Sequence, residues 1–210
     1  FFFIMRASIE GRWRDFAASG LAVGMAVSCK ANVWPLAGFV ALAAVMHWSR
    51  DEKTRSRPEA AILKLMLAGL LAALAFRVFQ PYAFQGPNTW TIGLEPRWRA
   101  NMAEVQQLVN GDRDYPPGHQ WTDRAPIIFP WTNMVVWGMG LPLGLAAWIG
   151  WAVVGWEIVA RKQWREHLLP WLWATAFFVY QGAQWVKSMR YILPIYPFFI
   201  LFAAYWLSNF

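Results

Sequence analysis

The sequence has little charge, few histidines and almost no cysteine: 15% of its 210 residues are Asp, Glu, Lys or Arg, three are His and one is Cys. So little charge excludes an ordinary soluble domain, in which roughly a quarter of residues are charged. A single cysteine excludes an intrachain disulfide, and Cys29, set in an apolar run, reads as a small packing residue. There is no cysteine cluster and no helical histidine pair. The nearest approach to a metal set, Asp112, Asp114 and His119, lacks a recognised ligand spacing, so a metal there is possible but unsupported, and no cofactor is identified. A Gly-rich phosphate loop, a dinucleotide fingerprint and a Ser-His-Asp set are missing as well.

Apolar and aromatic residues fill the space: 58% of the chain is hydrophobic, with 16 Trp and 15 Phe. They come in blocks of about 18 or more residues separated by short basic stretches, the length needed to cross a bilayer. The net charge of +7 is scattered through those short stretches. Such scatter argues against nucleic acid as a partner and for membrane lipid. The expected fold is therefore all-α, a polytopic bundle of transmembrane helices with an ordered extracytoplasmic loop.

Three regions follow. Residues 1–79 hold transmembrane helices, 80–131 an outer loop with no spanning segment, and 132–210 further transmembrane helices. Phe1 to Met5 reads as the last turns of a helix begun upstream, so the chain is expected to be a fragment of a longer protein. The apolar stretch 16–48 would make one helix of about 50 Å, too long for a core of roughly 30 Å. Lys30, Asn32 and Pro35 therefore predict a break, giving a hairpin of two helices at 16–29 and 34–48 with Lys30 at its tip. Further spans are expected at 60–79, 132–160, 168–186 and 191–210. Gly20, Gly24 and Ser28 recur every four positions and would let another helix backbone approach. In the outer loop, Pro96 opens and Asn110-Gly111 closes a short amphipathic helix.

Basic residues set the orientation. Arg6, Arg12, Arg14, Arg50, Lys53, Arg55, Arg57, Arg161, Lys162 and Arg165 fall on one side, taken as cytoplasmic. Lys30, Arg77, Lys187 and Arg190 then sit at outer helix ends, placed either to hold an anionic headgroup or to snorkel to the interface. The segment from Gly111 to Arg124 crowds acids, aromatics and rigid turn residues together. Rings beside hydrogen-bonding groups suit a sugar, and Asp123, Asp114 or His119 could act as a general base. The same segment also reads as an interfacial loop held by internal ion pairs. His47 and His167 read as interfacial residues, and Trp137, Trp148, Trp151, Trp156, Trp171 and Trp173 as belt and packing residues.

Two motifs resemble a known family. Gly20-Leu-Ala-Val-Gly-Met-Ala-Val-Ser-Cys-Lys30 and Arg190-Tyr-Ile-Leu-Pro-Ile-Tyr-Pro197 resemble short segments of the protein O-mannosyltransferase-like membrane glycosyltransferases of the GT-C fold. The stretch from Gln80-Pro-Tyr82 to Tyr115-Pro-Pro-Gly-His-Gln-Trp-Thr-Asp-Arg124 looks more like an uncharacterised prokaryotic branch related to them. The resemblance implies a GT-C-like bundle in a prokaryotic cell membrane, transferring a sugar with inversion from a polyprenyl-phosphate donor to an acceptor at the outer face. It implies that Lys30 and Arg190 contact the lipid phosphate. The family's catalytic Asp is expected upstream of residue 1, so no catalytic residue carries over. His119, Asp123, Arg124, Lys187 and Tyr191 are the substrate-binding candidates. The competing expectation is a transporter or lipid-handling protein with Lys30 at a broken helix; the one acid in a span, Glu157, lies near a helix end and does not resemble a coupling-ion site.

Overall fold

The computed structural model describes residues 1–50, 58–86, 91–161 and 164–209; the basic residues Lys53, Arg55, Arg57 and Lys162 lie outside them. Among the described residues the chain is all-helical, with one isolated antiparallel bridge, Phe84 to Leu94, and no strand. It divides into two compact units, Phe1–Ala100 and Asn101–Phe210.

In the first unit, α1 (Phe2–Glu10) runs one turn beyond the end anticipated at Met5. It stops where Gly11 turns left-handed at φ 63°. A side chain there would collide with the His47 ring, 1.9 Å from an ideal Cβ, so glycine is required by both backbone and packing. Arg50 donates from Nη1 to the Ile9 carbonyl at 2.9 Å and covers the open end of α1. Asp15, only 2% exposed, is paired with Arg6 Nε at 3.3 Å, and Arg6 and Arg12 share Glu10. His47 and these arginines thus have packing and pairing roles.

Helix α2 (Trp13–Cys29) ends at Lys30, whose backbone is extended at φ −151°, ψ 101°. A 3-10 turn at Ala31–Val33 and Pro35 precede α3 (Leu36–Trp48), so no helix runs unbroken through this stretch. Helix α4 (Pro58–Phe79) packs directly on α2. A Cβ on Gly20 would lie 2.1 Å from the Ala68 carbonyl, and one on Gly24 2.2 Å from the Ala72 carbonyl. The two backbones touch, as small residues at a four-residue spacing allow. On the opposite face of α4, Ile62, Met66, Leu70, Leu74 and Val78 are all exposed. Large aliphatic side chains at this helical spacing on an outer surface match lipid and not water. After Pro81–Ala83 the chain enters α5 (Pro96–Asn110), within which the boundary between the units falls.

The second unit holds α6 (Ile128–Asn133), a π-turn at Met134–Gly138, α7 (Leu141–Ala160), α8 (Trp164–Ala183), and α9 (Met189–Ile192) continuing through Leu193–Ile195 into α10 (Tyr196–Ser208). One expectation is corrected here: 132–160 is not a single span. Gly140, at φ 78°, breaks the path and Pro142 restarts it in the first turn of α7. Gly138 lies under the Tyr196 hydroxyl, 2.1 Å from where a Cβ would stand. Helix α7 packs closely on α10, with Gly150 against the Phe202 carbonyl.

Trp148 centres an aromatic core with Trp131, Trp151, Phe178 and Phe199. Trp151 stacks on Trp171 and donates to Thr175 Oγ1 at 2.8 Å. Trp137 and Trp156 point outward and do not belong to this core. Glu157 is 7% exposed and occupied on both oxygens, by the Tyr205 hydroxyl at 2.7 Å and Arg161 Nη1 at 3.2 Å. His167 packs edge-on against the same Tyr205.

Four helical segments among the described residues are long and apolar enough to cross a membrane: Ala31–Trp48, Pro58–Phe79, Leu141–Ala160 and Met189–Ser208. The helices Trp13–Cys29 and Trp164–Ala183, also expected as spans, are not among the four.

Candidate functional site

The second unit carries a cleft of about 810 Å³, within the usual size range of a small-molecule site. Three sequence segments wall it. Helix α5 contributes Val105, Leu108 and Val109; the following loop contributes Arg113, Asp114, Tyr115, His119 and Trp121; the connection from α8 into α9 contributes Trp185, Ser188, Arg190 and Tyr191.

Local chemistry holds the loop in shape. Asn110-Gly111 ends α5, and Gly111 is left-handed at φ 82°. Its missing side chain makes room for the Trp185 indole, which would lie 2.6 Å from a Cβ. Beyond it, Pro116 and Pro117 open a 3-10 turn over Pro116–Trp121, where their fixed φ costs nothing and their missing N–H groups are not needed. The Gly118 amide donates to the Tyr115 carbonyl at 2.7 Å and the Gln120 side chain to the Pro117 carbonyl at 2.7 Å. Two long-range bonds then fix the loop against the bundle: Val186 N–H to Val109 carbonyl at 3.2 Å, and Ile127 N–H to Gly182 carbonyl at 3.0 Å.

Within the cleft, His119 Nε2 and Asp114 Oδ1 are 2.7 Å apart, both well exposed to solvent. Neighbouring acids have other partners. Glu104 takes Arg113 as an ion pair, and Asp112 accepts from the Asn110 amide at 3.3 Å. Asp114 is thereby left to the imidazole. Arg190 stands 5.3 Å from the centre of the Tyr191 ring, so the wall from α9 presents a guanidinium beside an aromatic face.

The sequence candidates separate on this geometry. His119, Arg190 and Tyr191 come together in the cleft. Asp123 and Arg124 do not line it: Asp123 is held at φ 58° in the turn after the 3-10 segment, and Arg124 lies over Phe129, 5.2 Å from its ring centre. Lys187 is not a lining residue, although its neighbours Val186 and Ser188 are. It is 5% exposed, donates to the Trp185 carbonyl at 3.2 Å and lies 5.6 Å from the Trp185 ring centre. Burial pushes its ammonium below the ordinary lysine value of 10.5. Lys30 belongs to the first unit, where its amide closes α2 on the Ala26 carbonyl at 2.9 Å. Among the described residues no group of three or more His, Cys, Asp and Glu could hold a metal ion.

Sequence reasoning missed Trp185 and Ser188. A single tryptophan among 16 carries no signal of its own, and its partner Gly111 is distant in the chain. No protein-family model matches the chain, and neither does any curated protein or solved structure.

Proposed function

We propose that the chain is part of an integral membrane glycosyltransferase of GT-C-like architecture, moving a hexose from a polyprenyl-phosphate donor to an acceptor at the outer face of the membrane. The observation that carries this reading is the composition of one cleft: Arg190 beside the Tyr191 ring, Trp185 and Tyr115, and the His119–Asp114 pair. A sugar phosphate asks for this combination. A guanidinium binds phosphate with charge-assisted hydrogen bonds, an aromatic face covers the apolar side of a pyranose, and polar side chains meet its hydroxyls. In this reading the chain is multi-pass, the cleft opens on the outer side, and Arg190 holds the lipid phosphate. The assignment of Lys30 to that phosphate is carried by the sequence resemblance alone.

A transport role draws on the helix break at Lys30. Against it stands Glu157: a coupling-ion site needs an available carboxylate in a span, and both Glu157 oxygens are occupied by Tyr205 and Arg161.

Binding of a radiolabelled polyprenyl-phosphate hexose to the full-length protein in proteoliposomes tests the proposal. Arg190→Ala should weaken binding by about 2–4 kcal/mol, as for one partner removed from a desolvated charge pair. Arg190→Lys should recover only part of it, because the two-pronged contact is lost. Equal donor affinity in wild type, Arg190→Ala and Arg190→Lys would remove Arg190 from the site and this reading with it.

A further inference from the structure

We propose that the groove formed by α7, α8 and α10 binds an acyl chain of a glycerophospholipid, with the lipid headgroup seated at His167, Tyr205 and Ser208. The inference requires that the chain lie in a membrane but not that it transfer a sugar. The groove has a volume of about 450 Å³ and lies wholly within the second unit. Val154 of α7 and Phe202 of α10 are its buried lining; Pro170 of α8 and Phe198 and Leu201 of α10 add to its apolar walls.

Polarity changes along its length. Phe198, Leu201, Tyr205 and Ser208 follow one another at steps of three or four residues, so they share one face of α10. That face begins apolar and ends in a phenol and a hydroxyl. His167, in the first turn of α8, meets it there, its ring centre 5.1 Å from that of Tyr205. A buried carboxylate fixes this polar end. Glu157 accepts from the Tyr205 hydroxyl on one oxygen and from Arg161 Nη1 on the other. The phenol proton is thereby committed to Glu157, and the Tyr205 oxygen keeps lone-pair capacity for a donor such as a glycerol hydroxyl. Arg161, whose side chain is largely exposed, keeps its other N–H groups for a phosphate oxygen.

The surroundings select a lipid chain over other occupants. Leu141–Ala160 and Met189–Ser208 are both long and apolar enough to cross a membrane, so in a bilayer the open side of the groove meets acyl chains in place of water. An empty groove would forfeit the dispersion contacts of its lining. A second helix fits poorly: helices approach one another in a bilayer over small residues, as α2 and α4 do at Gly20 and Gly24. Here the apolar lining from α10 is Phe198, Leu201 and Phe202, with Ala204 the one small residue. The proposed sugar donor is separate as well. Arg190 and Ser208 lie at opposite ends of the Met189–Ser208 segment, so a headgroup at Ser208 belongs to the leaflet opposite that of the donor phosphate.

The test uses the full-length protein in phosphatidylcholine vesicles with a trace of phosphatidylglycerol that carries a diazirine near the end of one acyl chain. After illumination, mass spectrometry of peptides maps the attachment sites. Leu201 of the groove and Met66 and Leu70 of α4 are similarly exposed, at 62%, 65% and 59%, yet the label should concentrate at Leu201. Replacing part of the phosphatidylcholine by unlabelled phosphatidylglycerol should suppress the groove label and leave the α4 label unchanged. Ala204→Phe fills the groove from an exposed position and should lower the groove label about ten-fold, the effect of displacing roughly two methylenes. His167→Leu keeps the walls apolar and should raise the phosphatidylglycerol needed for half-suppression by about three-fold or more, through the lost polar contact. Equal labelling of Leu201 and Leu70 overturns the proposal, as does a groove label unaltered in both variants. So does suppression by polyprenyl phosphate and not by phosphatidylglycerol, which would give the groove to an isoprenoid chain, or a crosslink from α10 to a second protein segment, which would give it to a helix. Release of the protein from the vesicles by alkaline carbonate would remove the membrane reading itself and the groove proposal with it, a result distinct from failure of the groove alone.

Discussion

Gly111 packs its bare α-carbon against the indole of Trp185, and that contact joins the end of the loop helix to the connection between α8 and α9. The position combines two demands: a left-handed backbone at φ 82° and no room for a methyl group. The Val186-to-Val109 hydrogen bond beside it depends on the same approach.

Gly111→Ala should therefore destabilise the second unit by about 1–3 kcal/mol, from the strained backbone and the overpacked ring together. Thermal unfolding of the full-length protein in detergent would measure it. The same variant should lose donor affinity, since Trp185 and Arg190 share the cleft that the contact shapes. An unchanged melting temperature would show that the loop and the connection are not held by this contact.

Two glycines of the first unit should behave oppositely. Gly20→Ala places a methyl 2.1 Å from the Ala68 carbonyl and forces α2 away from α4, whereas a Cβ on Gly38 meets nothing within 4 Å. Gly20→Ala should lower the melting temperature, while Gly38→Ala, inside α3, should be neutral or stabilising by up to about 1 kcal/mol of helix propensity. Equal effects at both positions would contradict the close packing of α2 on α4.

Lys187 gives a pH dependence with a definite sign. Its folded-state pKa is lowered below 10.5 by burial. Between that lowered value and 10.5 the unfolded chain binds more protons than the folded one, so stability rises as pH rises through this window. Below the window the cost of the buried ammonium is constant. Lys187→Met should remove this rise and leave the protein as stable as wild type, or more so, near neutral pH. Chemical denaturation of both proteins across alkaline pH would show it; parallel curves would mean that Lys187 does not contribute.

Crossing of the membrane by α7 is open to labelling. Gln120 precedes and Arg161 follows Leu141–Ala160, so single cysteines at the two positions should react from opposite sides of a sealed vesicle. The background must be Cys29→Ser, because Cys29 is exposed. Reaction of both sites from one side would show that α7 does not span.

Local sequence carried much of the architecture. Long apolar blocks, with proline and glycine at their ends, determine helices and their boundaries through backbone sterics alone, as at Pro96 and Asn110 for α5. The Gly20 and Gly24 spacing marks a face that another helix can approach, though not that the helix is α4. By hydrophobicity 132–160 reads as one span, because the apolar run does not change where the path breaks. Gly138, Gly140 and Pro142 mark the place in the sequence, but that the path turns there is decided by the left-handed backbone of Gly140 at φ 78°.

The cleft was decided in three dimensions. His119, Arg190 and Tyr191 could each be singled out by residue type, but only the tertiary structure set them around one volume, paired Asp114 rather than Asp123 with the imidazole, and brought in Trp185. By itself the sequence determined an all-helical chain with apolar helices long enough to cross a membrane and a polar segment between them, because hydrophobic length and turn chemistry are local properties. Which loop residue meets which was decided by contacts such as Val186 with Val109 and Gly111 with Trp185, whose partners lie far apart in the chain and are selected only when the helices pack.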